Sequence, residues 1–373
     1  MAEDKNIKQQ YLDFDEYIRQ GEPDKKEKAS IWQTAIGLQA VDGLKTSDYL
    51  KETARKHIEG DIDIDQAREL IKTYYLSKTV REPDDDDKQE ADKVSVNITK
   101  ILSSKTFDFS FNGIVSLHRR IFEGVFSHAG KIRTYNITKK EWVLEGDTVN
   151  YLNWEDLQRA LDYDIDQERQ FSYKGVSQDD MIFHIASFVS GIWQIHPFGE
   201  GNTRTTAVFT ILYLRHIGFK VTNDMFAQHP WYFRNALVRA NYKNAIKGID
   251  YSPVYLERFF RSMLLGEEHD LRNRIMHIDW GKVDGNNSPQ SANHEVKSAI
   301  ISEELPPKCN LCTLEEVAVL RIVQKNRYAT QKEIAAEIGK SERTVKSITI
   351  ALQDKQILKR VNGKRNGYWE VAE

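Results

Sequence analysis

Nine consecutive residues in the middle of the chain, from His196 to Arg204, bring together groups that could act on a phosphate. Pro197 lacks an amide hydrogen and ends a helix, so His196 is left at a helix terminus, where an imidazole can titrate near neutral pH and act as a base. Glu200 offers the hard carboxylate oxygens that Mg²⁺ prefers, and Arg204 can bind a phosphate oxygen. The alternative is a glycine-rich turn between two helices whose histidine merely caps a helix. The spacing therefore predicts a site for phosphate-transfer chemistry.

The backbone of the same turn could bind an anion. Gly199 and Gly201 have no Cβ, so the chain can approach a ligand closely, take positive φ and present successive amides to a phosphate. The next helix is predicted to begin at Asn202 or Thr203, which points its positive end into the turn.

Two apolar helices are expected to position this turn. Residues 181–195 are apolar on nearly every side, as in a helix that is buried all round, so we expect them at the centre of the core. A second apolar helix is predicted over 203–217. The wider region 95–261 has helical periodicity except at 130–150, where β-forming residues surround polar turns. We expect an all-α bundle interrupted by one small β-hairpin.

The run His-Pro-Phe-Gly-Glu-Gly-Asn-Thr-Arg resembles the signature of the Fic family, His-Pro-Phe-x-(Asp/Glu)-Gly-Asn-Gly-Arg-x-x-Arg. Family members typically transfer AMP from ATP to a hydroxyl of a target protein. The resemblance implies that His196 deprotonates a Ser, Thr or Tyr hydroxyl for in-line attack on the α-phosphate. It also implies that Glu200 holds Mg²⁺ and that Arg204 stabilises the departing pyrophosphate. The residues implied to bind the nucleotide are Gly199, Gly201, Asn202, Thr203, Arg204 and Asn241.

Two further segments resemble parts of the family fold. Residues 131–149 resemble its β-hairpin flap, which aligns an extended target segment by adding a strand to it. The implied target-docking residues are Arg133, Thr134, Tyr135, Asn136 and Ile137. Residues 233–241 resemble the helix that walls the adenine site, with Asn241 as the implied contact. Arg234 stands where that helix often has tyrosine.

Two positions depart from the signature. Thr203 replaces its second glycine, and Ala207 replaces its second arginine, which grips the γ-phosphate in relatives. In the Doc branch, a lysine at the position of Thr203 accompanies transfer of the γ-phosphate. A Doc-like protein kinase is therefore the alternative to AMP transfer.

The N-terminal segment 35–44 resembles the inhibitory helix of small antitoxins that hold Fic toxins inactive, whose motif is (Ser/Thr)-x-x-x-Glu-(Gly/Asn). Here Leu38 replaces the hydroxyl residue, Asp42 replaces the glutamate, and Gly43 fits. In the family the glutamate pairs with the second arginine, so both partners are altered in this chain. Two interpretations stay open: an inhibitory contact through Asp42 and Gly43, or an ordinary helical cap on the core.

The C-terminal unit resembles a winged helix-turn-helix domain. From 311 to 373 it carries 12 basic and 8 acidic residues, an excess of 12 − 8 = +4 that suits contact with DNA phosphates. The candidate DNA-binding residues are Arg343, Thr344 and Lys346 on the recognition helix and Arg360 and Lys364 on the wing. Protein docking and homodimerisation are the alternatives. A DNA-binding regulator that senses ATP without turning it over is a third hypothesis for the function.

The whole chain has 373 residues, with 53 Lys and Arg against 56 Asp and Glu, which excludes a uniformly basic nucleic-acid coat. Its two cysteines, Cys309 and Cys312, cannot form a disulfide framework and favour a reducing compartment, so we expect a cytoplasmic protein. No secretory signal or membrane span is expected. Four parts are predicted: an antitoxin-like helical region over 1–80, a Fic catalytic domain over 90–280, a linker over 281–310 and the winged helix over 311–373.

Overall fold

A computed structural model of the chain describes residues 14–77, 82–104, 106–219, 221, 224–280, 319–320, 322–324, 326–338, 341–361 and 368–371. The chain divides into two compact units, Met1–Ser288 and Pro289–Glu373. The predicted linker over 281–310 lies outside the described residues, and so do both cysteines. No helix in the described part of the chain is long and apolar enough to cross a membrane.

The N-terminal region is helical, as predicted. Its helices are α1 (Asp15–Gln20), α2 (Pro23–Gly37), α3 (Asp48–Glu59) and α4 (Ile64–Leu76). A 3₁₀ turn, Leu38–Asp42, continues α2 and ends where Gly43 takes a left-handed conformation with φ of 73°. Gly37 lies where α2 approaches the backbone of a later helix, because an added Cβ would come within 2.8 Å of Ala227. This close packing fixes the position of the 3₁₀ turn.

A buried aspartate joins the N-terminal region to the bundle. Asp92 accepts hydrogen bonds from the backbone amide and hydroxyl of Ser47, at 2.9 and 2.5 Å, and from the hydroxyl of Tyr75 at 2.8 Å. Ser47 also caps α3 by accepting from the amide of Leu50. Burial raises the pKa of Asp92 to about 6, against the opposing effect of these hydrogen bonds.

The central bundle consists of α5 (Gln89–Ser103), α6 (Phe111–Ile121), α7 (Leu157–Gln170), α8 (Gln178–Ile195), α9 (Asn202–His216), α10 (Asp224–Gln228), α11 (Pro230–Ala240) and α12 (Val254–Leu265). The core centres on α9, in which every residue from Asn202 to Leu214 is buried, whereas α8 keeps an exposed side. The expectation that α8 forms the centre is therefore corrected. The threonines of α9 make this helix look less apolar in the sequence than a buried helix would. In the structure the hydroxyls of Thr205 and Thr210 donate to the backbone carbonyls of Gly201 and Thr206, at 2.9 and 2.7 Å.

The predicted β-hairpin at 130–150 is wrong. The segment forms no strand and instead contains a 3₁₀ turn, Trp142–Leu144. Its tip is closed by the amide of Glu141 donating to Asp147 and the amide of Gly146 donating to Glu141, both at 3.0 Å. The loop is held by hydrogen bonds other than those of a strand ladder. The β-forming residue types in this segment therefore wrongly predicted strands.

The C-terminal unit contains α13 (Gln331–Glu337), α14 (Glu342–Asp354) and an antiparallel pair, β1 (Leu358–Val361) and β2 (Tyr368–Val371). Thr330 and Glu333 form a capping box at the start of α13, and the Ser341 hydroxyl caps α14. Two helices followed by a two-stranded wing match the predicted winged helix-turn-helix. Because this pair is the one sheet among the described residues, the all-α class is confirmed.

Candidate active site

The turn between α8 and α9 is shaped by its own side chains. His196 has φ of 51° and ψ of 58°, a left-handed conformation that ends α8, and Gly201 at φ 73° precedes α9. The Asn202 side chain closes the turn, since it accepts from the amide of Phe198 at 3.0 Å and donates to the carbonyl of Phe198 at 2.7 Å. Asn202 was implied to bind the nucleotide, but in this structure its amide group bonds to the turn.

Other side chains lie close to the two glycines of the turn. A Cβ on Gly201 would lie 2.2 Å from the ring of Phe122, and one on Gly199 would lie 2.8 Å from the hydroxyl of Tyr135. Both glycines therefore let other side chains approach the turn, and Gly201 also supplies the positive φ.

His196 is held as a neutral base. Its Nδ1 lies 3.1 Å from the carbonyl of Trp193, and because a carbonyl only accepts, Nδ1 carries the proton. Nε2 is then the basic nitrogen; it is buried, and no described group hydrogen-bonds to it. Burial and the positive charges of Lys139, Arg133 and Arg234 hold the pKa of His196 well below its usual value. The site therefore contains an unprotonated nitrogen with a free lone pair.

A second histidine, which the sequence reasoning missed, supports the turn. The Nδ1 of His118 accepts from the amide of Gly130 at 2.8 Å, so its Nε2 carries the proton and donates to the carbonyl of Glu200 at 3.1 Å. Its ring stacks on Phe198 with a centroid distance of 3.8 Å. Burial lowers the pKa of His118 to about 4. The sequence feature that could have indicated this role is the position of His118 on the apolar face of α6.

Arg133 does not fit the target-docking role. Its side chain is only 3% exposed and donates to the carbonyls of His196 at 2.8 Å, Tyr135 at 2.7 Å and Leu152 at 2.5 Å. Its backbone amide donates to the carbonyl of Pro197 at 2.9 Å. We therefore correct this assignment, because Arg133 holds the loop against the His-Pro turn instead of facing a target.

The other predicted docking residues stay near the surface. Thr134, Tyr135 and Asn136 are exposed and Ile137 is half-buried. The Asn136 side chain accepts from the amide of Trp154 at 3.0 Å, which ties the loop to the start of α7.

Arg204 is bound by the N-terminal half of the chain. Its Nε lies 2.7 Å from Asp42, its Nη2 lies 2.6 Å from Glu90, and its Nη1 donates to Gln39 at 3.0 Å. The guanidinium also lies 4.8 Å from the ring centroid of Phe122. With its side chain 2% exposed, Arg204 is engaged by protein groups at the place where a phosphate was expected.

Asp42 is shared with a second arginine, Arg234 of α11. Arg234 donates to Asp42 at 3.3 Å, to the carbonyl of Val41 at 2.8 Å and to both carboxylate oxygens of Glu141 at 3.2 and 3.1 Å. Burial opposes the charge of Arg234, but Glu141 and Asp42 outweigh it and raise its pKa. The structure thus brings the candidate inhibitory residue Asp42 into the site, directly before Gly43.

Thr203 and Asn241 connect helices. The hydroxyl of Thr203 accepts from the indole of Trp193 at 3.1 Å, which joins α9 to α8. The Asn241 amide donates to the hydroxyl of Ser190 at 2.8 Å and to the carbonyl of Leu237 at 2.9 Å. A nucleotide contact by the Asn241 amide would replace an internal hydrogen bond, whereas the Thr203 hydroxyl, which accepts from Trp193, keeps a hydrogen to donate.

Glu200 lies at the exposed edge of the turn. Among the described residues there is no group of three His, Cys, Asp or Glu side chains that could hold a metal. One exposed carboxylate still fits Mg²⁺, which is commonly bound by one or two carboxylates together with substrate phosphates and water. Glu200 is therefore suited to a metal that arrives with a nucleotide.

The candidate DNA-binding residues are only partly described. Lys346 is exposed, and Thr344 is half-buried with its hydroxyl 2.8 Å from that of Ser341. The Arg360 guanidinium lies 4.6 Å from the ring centroid of Trp369. The side chain of Arg343 and all of Lys364 lie outside the described residues.

The fold and the turn together define a helical-bundle protein with a buried neutral histidine beside a glycine-containing turn. Residues 108–214 match the family model described as Fic/DOC family, and residues 316–359 match the model described as winged helix-turn-helix DNA-binding. The chain thus contains one segment that matches the Fic/DOC family model and, after it, one that matches the winged helix model.

Two known proteins are similar to the chain. "Probable protein adenylyltransferase y4lH" from Sinorhizobium fredii is 24% identical over 174 residues, which is 45% of this chain and 84% of the relative. A crystal structure of a Fic family protein from Desulfovibrio desulfuricans G20 is 12% identical, with a TM-score of 0.42, over 100% of this chain and 96% of that one. The first supports a Fic-type transferase activity in general.

Proposed function

We propose that this protein is an adenylyltransferase that transfers AMP from ATP to a Ser, Thr or Tyr hydroxyl of a target protein, with His196 as the base. The observation that carries the proposal is the buried Nε2 of His196, which is unprotonated and accepts no hydrogen bond from the described residues. The Fic/DOC match over this region and the relative named as a probable protein adenylyltransferase support it.

The proposed step moves one proton to His196. The target hydroxyl oxygen attacks the α-phosphorus as Nε2 takes its proton, and the bond from the α-phosphorus to the bridging oxygen breaks to release pyrophosphate. Trp193 keeps the other imidazole nitrogen protonated throughout. Burial and, after it, nearby positive charges depress the pKa of His196, so the negative charge of bound ATP would raise that pKa and make the base stronger when substrate is present.

The phosphates would bind at the turn. Its amides and the N-terminus of α9 supply donors, and Arg204 adds a charged one once Asp42 has moved away. Glu200 would hold Mg²⁺, which neutralises phosphate charge when it is bound. In this proposal the protein contributes mainly position and charge, as phosphoryl-type transfer requires.

Parallel labelling tests the reaction. Purified protein and a cell lysate are incubated with Mg²⁺ and ATP labelled at the α- or the γ-phosphate. We expect α-label alone in target protein, and loss of that label in His196→Ala. His269→Ala is the matched control, because its partner is Glu267 at 2.9 Å, away from the turn. Equal labelling by His196→Ala would show that His196 is not the base.

A Doc-like kinase is the second candidate, and the buried Ala207 favours it. Ala207 is 0% exposed and places a methyl group where the signature has an arginine. Without the contact between that arginine and the γ-phosphate, the nucleotide could bind with its γ-phosphate next to His196. Transfer of γ-label alone would establish this reaction.

An ATP-sensing regulator is the third candidate, favoured by the winged helix match at 316–359. In that case neither label would transfer, even after removal of residues up to about 78, and ATP would change binding of the full chain to DNA. A DNA mobility-shift assay with and without ATP separates this regulator from an enzyme whose winged helix binds target protein.

A further inference from the structure

Two arginines from different helices face the two oxygens of one carboxylate. Arg204 of α9 contacts Oδ2 of Asp42 at 2.7 Å, and Arg234 of α11 contacts Oδ1 at 3.3 Å. We propose that Arg204 and Arg234 form a clamp for a phosphate group of the nucleotide, and that Arg234 supplies the guanidinium missing at Ala207. The inference rests on the proposed function and adds to it a phosphate-binding residue.

The carboxylate of Asp42 stands in for a phosphate. Guanidinium groups recognise carboxylate and phosphate with the same paired N–H donors, so a position that fits one anion fits the other. The Asp42 side chain is 29% exposed, whereas those of Arg204 and Arg234 are 2% and 18% exposed. Departure of Asp42 would therefore open a position that solvent can reach and that two largely buried cations line.

Each arginine keeps a second anchor that does not depend on Asp42. Glu90 holds Arg204 at 2.6 Å, and Glu141, only 3% exposed, holds Arg234 at 3.1 Å. These anchors fix both guanidinium groups before a ligand arrives, which lowers the entropic cost of binding.

The charge balance changes in the direction that an anion needs. With Asp42 in place, Arg204 and Arg234 face three carboxylates, those of Asp42, Glu90 and Glu141, and the balance is 2 − 3 = −1. Without Asp42 it is 2 − 2 = 0, and Lys139, whose charge interacts with those of Asp42, Arg234 and Glu141, adds one positive charge to both balances, which become 0 and +1. A bound phosphate would restore the negative charge that leaves with Asp42.

The position of Arg234 also explains why Ala207 is tolerated. Ala207 is fully buried on α9, packs as part of the core and supplies no guanidinium. Arg234 reaches the same carboxylate as Arg204 from α11. The positive charge that α9 lacks at Ala207 is thus supplied by Arg234 on α11.

Inorganic tripolyphosphate tests the clamp without involving the base or the chemical step. Titration calorimetry of the full chain without Mg²⁺ compares native protein, Asp42→Ala, Asp42→Ala with Arg234→Ala, and Asp42→Ala with Arg272→Ala. Arg272 is an exposed arginine that pairs with Asp270. We expect Asp42→Ala to bind at least about 10-fold more tightly than native protein, and Arg234→Ala to remove about 10- to 100-fold of that affinity, the size of one charge-assisted contact. Arg272→Ala should change nothing.

Arg234→Lys is included to distinguish a lost phosphate contact from a variant that fails to fold. Lysine keeps the charge without the paired donors, so we expect an intermediate affinity in a protein whose thermal midpoint is checked beside that of Arg234→Ala. Equal binding by the variants with and without Arg234, or no binding by Asp42→Ala, would overturn the clamp.

ATP titrated in parallel separates the two proposals. Binding of both tripolyphosphate and ATP that depends on Arg234, without label transfer, would reject the proposed function and keep the clamp. Label transfer that requires His196 but is insensitive to Arg234 would reject the clamp and keep the function.

Discussion

Asp42 and Arg204 form an ion pair of 2.7 Å that joins the N-terminal 3₁₀ turn to the first turn of α9. The arginine side chain is 2% exposed and the aspartate side chain 29%, so the pair is buried on the side of the arginine and reached by water on the side of the aspartate. The group expected to bind phosphate is therefore already neutralised by the chain itself. Catalysis would require the 3₁₀ turn to move.

Asp42→Ala should increase label transfer. The substitution removes the carboxylate that competes with phosphate, and a charge-assisted contact of about 1.5–3 kcal/mol corresponds to a gain of roughly 10- to 100-fold in the initial rate at subsaturating ATP. Asp48→Ala is the control, since the Asp48 side chain is 96% exposed and pairs with its helix neighbour Lys51 at 3.1 Å. Unchanged transfer in Asp42→Ala would mean that the contact is an ordinary cap.

The sequence predicted the parts of the site that depend on local chain geometry. Pro197 and the glycines placed the turn between two buried helices, and the structure has that turn with Gly201 at φ 73°. Contacts between distant segments were less visible. Arg133 was interpreted as a docking residue because its burial against the His196 carbonyl depends on how two loops meet.

The interaction of Arg234 with Asp42 was equally hidden from a single sequence. Residues of α11 and of the 3₁₀ turn are far apart in the chain, and they contact each other in a fold in which α2, which the turn continues, packs on the bundle. The departures at Asp42 and Ala207 could be seen separately, but which arginine would replace the missing one depends on tertiary structure.

Arg133→Ala should lower kcat more than it changes the KM for ATP. Arg133 fixes the His196 carbonyl at 2.8 Å, and a displacement of the base by about 1 Å can cost on the order of 100-fold in rate while the phosphate donors stay in place. Steady-state kinetics measures both constants. Arg159→Ala is the control, because the Arg159 side chain is 84% exposed on α7. A rise in KM with unchanged kcat would contradict the positioning role.

Gly201→Ala should destabilise the protein by about 2–5 kcal/mol. The left-handed backbone costs a side-chain-bearing residue about 1–2 kcal/mol, and displacement of the Phe122 ring, 2.2 Å from the new Cβ, adds about 1–3 kcal/mol. Gly266→Ala is the matched control, with φ of 69° and no atom within 4 Å of its Cβ, so it should lose only the backbone part. Urea unfolding gives both free energies, and equal losses would rule out the contact with Phe122.

His118 should make the folded state less stable as the pH falls below about 6.5. Its pKa is about 4 when folded and near 6.5 when unfolded, so the unfolded chain binds more protons between these values and the free energy of unfolding decreases toward pH 4. At 1.36 kcal/mol per pKa unit, the full difference is about 3 kcal/mol. Protonation would also place an N–H of His118 against the amide of Gly130, which now donates to that nitrogen at 2.8 Å.

His118→Gln should remove this contribution. Because other buried histidines titrate as well, the informative quantity is the difference between native protein and variant in the free energy of unfolding, measured with urea at pH 7.5 and pH 5. We expect native protein to lose about 1–2 kcal/mol more than His118→Gln over this interval, which covers only part of the titration. Equal pH dependence in native protein and His118→Gln would show that the proton equilibrium of His118 is not coupled to folding.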